Sequence, residues 1–106
     1  MEKPNLDYIY QLSEGDKDFE AKLISVLKKE LPEEIEELKK SIKEKDFQRS
    51  AENVHKLKHK ISIFGFRNAY EEANTFENEL KFSQDLSRLD SFLAVLESMT
   101  DFLRPL

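Results

Sequence analysis

A chain of 106 residues suits one domain with a modest hydrophobic core. With 39% hydrophobic and 37% charged residues, two glycines and three prolines, it reads as helices with solvated outer faces and not as disorder. The absence of cysteine excludes disulfides and thiolate metal sites and fits a reducing compartment, while a net charge of −5 disfavours nucleic acid as a partner. No apolar run approaches the roughly 18 residues needed to span a bilayer. No secretory apolar region follows the start Met1-Glu2-Lys3-Pro4-Asn5, so the expected location is the cytoplasm.

Taken in order, residues 5–12 read as a short helix with Asn5 as N-cap and Leu6, Ile9 and Tyr10 inward. Ser13 to Asp16 is a turn whose Asp16 caps a helix over about 17–30, with Phe19, Leu23, Ile24 and Leu27 on its apolar face. Pro32 interrupts. Either a third helix runs over about 32–44, its seam Ile35, Leu38 and Ile42, or the second continues through a kink. The acidic run Glu30–Glu37 is chiefly a solvated face.

Asp46 caps the next helix, which runs to about Phe64. At about 100° per residue, Phe47, Val54, Leu57, Ile61 and Phe64 gather into one apolar stripe. His55 falls on the wet side, roughly 120° from the centre of that stripe. Gln48, Lys58, His59 and Ser62 share its face, because i, i+3, i+4 and i+7 positions do. Ile63 also points to the wet side, as an exposed apolar contact for a partner. Gly65 ends the helix or admits a neighbouring backbone. Arg67-Asn68 caps a further helix over about 69–81, with Ala69, Ala73, Phe76 and Leu80 inward. The last helix spans about 86–103, and Pro105 stops it. No strand-like alternation, repeat or linker is visible. The expected fold is all-α: an antiparallel up-down four-helix bundle with one or two short helices at one end, a single domain over 1–106.

The residues His55-x-x-Lys58, with Gly65 ten positions after the histidine, resemble the signature of histidine-containing phosphotransfer domains. Leu6-Asp7-Tyr8, Gly15-Asp16 with Phe19, Pro32 to Ile35 and Asp46-Phe47 extend the likeness over roughly residues 5–100. One departure stands out: the family commonly has a small residue directly after the lysine, where this chain has His59. The resemblance implies a phosphorelay intermediate. His55 would be the phosphoacceptor and Lys58 the phosphate stabiliser. Gln48, Ala51, Glu52, His59, Ser62, Ile63 and Gly65 would form the surface for docking receiver domains of response regulators and hybrid sensor kinases. It also implies a carrier without kinase activity or a cofactor of its own, with Mg²⁺ held by the receiver. A monomer is expected.

The residues' own chemistry agrees with that role. Imidazole is a nucleophile near neutral pH, and nearby cations keep it neutral and attract an anionic group. The chain carries no glycine-rich phosphate loop, so it should not load itself from ATP. The nearest acid in sequence to His55 is Glu52, and no carboxylate cluster for a metal is evident. His55 and His59, at i,i+4, would make only a weak two-ligand metal site. Two other readings compete: a helical interaction module with no signalling chemistry, and a degenerate fold that docks receivers without carrying phosphate.

Overall fold

The structure is a computed structural model in which residues 2–106 are described. Among them are five α-helices and no strand: α1 (Asp7–Ser13), α2 (Lys17–Lys43), α3 (Phe47–Ile63), α4 (Arg67–Phe82) and α5 (Leu89–Leu103). The helices α2 and α3 begin where sequence chemistry places them. The Asp16 carboxylate accepts from the Asp18 and Phe19 amides, and Asp46 accepts from that of Arg49, so each satisfies orphan N–H groups of a first turn.

Pro32 does not split α2, which continues through it for 27 residues, about 40 Å at 1.5 Å per residue. Leu27, Leu31 and Leu38 keep one face of this helix in the core on both sides of the proline, so tertiary packing outweighs the lost backbone bond.

Paired residues show an up-down-up-down ring. Asn53 of α3 meets Glu37 of α2 while Lys60 meets Glu30, so these helices are antiparallel. Lys58 meets Asn74 and His55 meets Glu77 across α3 and α4, and Phe76 stacks on Phe92 across α4 and α5. Lys28 of α2 reaches the Arg104 carbonyl after α5 and closes the ring. Val54, Leu57, Ile61, Phe64, Phe76, Leu80, Leu96 and Met99 fill the centre and are almost wholly buried.

A polar knot sets the roll of α3 against α2. Ser41 Oγ lies 2.8 Å from Ser50 Oγ, and the Asn53 amide donates to Ser41 Oγ at 3.0 Å and to the Glu37 carbonyl at 3.1 Å. With every member bonded, the knot adds direction to an otherwise apolar seam.

The starts of α1 and α4 depart from the sequence reading. Asn5 is not the N-cap of α1, a position taken by Leu6, although its side chain does accept from the Asp7 amide at 3.1 Å. Its backbone N–H donates to the Phe64 carbonyl at 2.9 Å, which anchors the N-terminal segment on the end of α3. Gly65 (φ +81°) lies beside it, and a Cβ there would stand 2.6 Å from Asn5 Nδ2. Gly65 thus both ends α3 in the left-handed region and admits Asn5, a side chain in place of the expected backbone.

Arg67 and Asn68 do not cap α4. The Glu2 carboxylate instead accepts from the Asn68 and Ala69 amides at 3.0–3.1 Å. The Asn68 N–H foremost holds the Glu2 carboxyl below its usual range, as a helix N-terminus does. Finally, α5 starts at Leu89, later than expected. Asp85 takes the Ser87 amide at 2.9 Å and turns the chain once more before the helix begins.

Candidate functional site

The middle of α3 presents Gln48, Glu52, His55, His59 and Ser62 to solvent as one stripe at helical spacing, as the sequence implied. The opposite face, with Val54, Leu57 and Ile61, is locked into the core. The His55 side chain is 52% exposed, held upright on a rigid, fully packed helix.

Across the seam, α4 supplies the residue on which the site turns. Glu77 is 8% exposed, and its carboxylate meets three donors. His55 Nδ1 lies 3.1 Å from Oε1, Lys58 Nζ lies 3.1 Å from the same oxygen, and Lys81 Nζ lies 3.1 Å from Oε2. Burial works against its charge, but hydrogen bonds from Lys58, Lys81 and His55 win and hold its carboxyl below the usual range. An ionised carboxylate only accepts, so His55 Nδ1 must carry a proton. The lone pair of the neutral ring is therefore on Nε2.

Lys58, expected to stabilise phosphate, is held in the α3–α4 seam. Its side chain is 9% exposed, and Nζ donates to Asn74 Oδ1 and to Glu77, with the Tyr70 ring 5.7 Å away. The helix geometry placed it near the face of His55, but its long stem lies down into the α3–α4 seam. Lys81, 45% exposed, joins the site from α4. Two ammonium groups around one carboxylate leave a local excess of positive charge in a chain that is acidic as a whole.

His59 Nε2 stands 3.4 Å from His55 Nε2, the rings edge to face with centroids 4.9 Å apart. Among the described residues, no group of three or more His, Asp or Glu side chains is placed to hold a metal ion.

The family model of the Hpt domain matches residues 22–104. The chain belongs to the Hpt domain family. Comparison with curated proteins and with solved structures gives no significant match. Hpt domains carry phosphoryl groups on histidine in two-component signalling, interact with receiver domains of response regulators and are carriers, not kinases. The all-helical fold is that of an Hpt bundle, and no described helix is long and apolar enough to cross a membrane.

Two of the residues assigned to the docking surface sit elsewhere. Ala51 is wholly buried, because a small side chain at the α3 seam lets the neighbouring helix come close, so it cannot touch a partner. Ile63 is half-buried and packs against the core cluster, where the end of α3 turns it inward. Gly65 is exposed but engaged by Asn5. The residues that sequence reasoning missed, Glu77, Lys81 and Asn74, all lie on α4. The signal for Glu77 was present: it shares the inward face with Ala73 and Leu80, and a carboxylate at such a position demands a partner.

Proposed function

We propose that this Hpt domain accepts a phosphoryl group on Nε2 of His55 from the aspartyl phosphate of one receiver domain and delivers it to the aspartate of another. The observation that carries the reading is the fixed tautomer: an exposed imidazole whose Nδ1 proton is held by a buried carboxylate has one nucleophilic nitrogen. In the forward step the acyl phosphate P–O bond breaks, an N–P bond forms at Nε2, and the receiver's carboxylate leaves with the bonding pair. The Nδ1 proton stays in place. The ring then carries positive charge, which the Glu77 carboxylate offsets at 3.1 Å. The reverse step returns the electron pair to the imidazole.

Lys81 and Lys58 supply positive charge beside the incoming group, Lys58 through the carboxylate it shares with His55. The Mg²⁺ that such chemistry needs comes with the receiver, and the exposed stripe of Gln48, Glu52, His59 and Ser62 is the ground on which it docks.

The test is incubation with a receiver phosphorylated on aspartate. Acid-labile label on the chain, lost in His55→Gln, is the expected result. Receiver binding without label would leave a docking module that carries no phosphate, and absence of binding would leave a helical interaction module of another kind.

A further inference from the structure

His59 stands where the family commonly has a small residue, and its ring makes no hydrogen bond to any described side chain other than His55. The tautomers of the pair follow from Glu77. Because the carboxylate fixes the His55 proton on Nδ1, Nε2 of the neutral ring can only accept. Two lone pairs facing each other at 3.4 Å would repel, so His59 Nε2 carries a proton aimed at His55 Nε2. The edge-to-face arrangement of the rings, 89° between planes, presents the edge of one ring to the other. The resting order is Glu77 carboxylate, His55, His59, with each proton pointing toward Glu77 along the row.

The geometry points to His59 as a shield on the nucleophilic nitrogen that becomes a holder of the phosphoryl group once transfer has occurred, an inference that rests on the proposed acceptor role of His55. In the free domain the His59 N–H covers the lone pair with which His55 must attack. The ring is exposed and the bond is long, so the shield yields to a docking receiver by a side-chain rotation at little cost. After the N–P bond forms, Nε2 no longer accepts. The same N–H then faces phosphoryl oxygens, which are stronger, charged acceptors. One side chain therefore slows loading and slows loss of phosphate to water. With a glycine at that position, neither effect exists.

The experiment compares the wild type with His59→Gly and His59→Gln. In ¹⁵N spectra of the imidazoles without any receiver, His55 Nε2 should shift toward the frequency of a free lone pair in His59→Gly. With a phosphorylated receiver, His59→Gly should accept label faster by roughly two- to threefold, the worth of one long, exposed hydrogen bond. After removal of the receiver, its phosphohistidine should hydrolyse faster by a similar factor. His59→Gln, whose amide still donates, should retain most of the lifetime. Opposite movements in loading and lifetime are not produced by a general loss of structure. Unchanged Nε2 frequency, slower loading, or an unchanged lifetime in His59→Gly would each overturn the inference. Failure of the wild type to take label at all would sink the acceptor role instead, while the Nε2 frequency still reports on the shield.

Discussion

Glu77 holds His55 by Nδ1 at 3.1 Å while the same carboxylate oxygen receives Lys58 at 3.1 Å. The pairing makes an exposed imidazole and a buried ammonium depend on one acid. Replacing Glu77 by Gln keeps an oxygen that can accept from Nδ1–H but removes the charge. Phosphoryl acceptance should fall by about tenfold, because the bond from Nδ1–H is no longer charge-assisted and the phosphorylated ring loses its counter-charge. Stability should fall by about 1–3 kcal/mol, because Lys58 is left partly unpaired inside the seam. Transfer kinetics and urea denaturation of the same variant check both.

The acid stability of the domain follows from the same group. The Glu77 carboxyl titrates below its unfolded value, so its contribution is present above the unfolded range and disappears as pH falls through the folded value. The urea midpoint of the wild type should therefore drop as pH is lowered from about 5 to below 4, and Glu77→Gln should show a shallower drop over that interval. Lys60 acts at the other extreme. Burial works against its charge, but Glu34 and Glu30 raise its pKa, so its contribution holds below the ordinary lysine range and is lost only as strongly alkaline pH passes the folded value.

The two lysines of the site should separate by experiment. Lys58→Met removes a nearly buried ammonium from Glu77 and should lower both stability and phosphoryl acceptance. Lys81→Met removes an exposed i,i+4 partner, so stability should change by less than about 0.5 kcal/mol while acceptance still falls. Thermal or urea unfolding set beside transfer rates reads the difference.

The two glycines offer an internal control for the contact with Asn5. Both have positive φ, +88° at Gly15 and +81° at Gly65, but a Cβ at Gly15 meets nothing within 4 Å. Gly15→Ala should cost about 1 kcal/mol from backbone conformation alone. Gly65→Ala should cost more, because Asn5 must also give way. Faster amide exchange at Asn5, whose N–H bonds the Phe64 carbonyl, should appear only in the second variant.

Much of the scaffold was readable because it is written in local chemistry. Asp16 and Asp46 cap helices in the first turn that follows them, and the inward stripe of α3 is a simple period. What local pattern could not supply was contact between helices. Glu77 lies far along the chain from His55, yet the two are equally distant from Phe66, as are Lys58 and Asn74. Counting outward from the α3–α4 turn would have matched them, once that turn was taken as a tight antiparallel hairpin. The burial of Ala51 and the descent of Lys58 into the seam depend on how closely α3 and α4 approach, which no periodicity encodes. Capping of α4 by Glu2 was hidden for the same reason: its donors lie 66 and 67 residues further along the chain.

The bonded trio Ser41, Ser50 and Asn53 lies on the side of α3 turned away from His55. The side of the bundle from which His55 projects is thus set in part by groups buried behind it. Substitutions along the outer stripe should therefore leave the bearing of α3 unchanged, because its anchor lies on the opposite face.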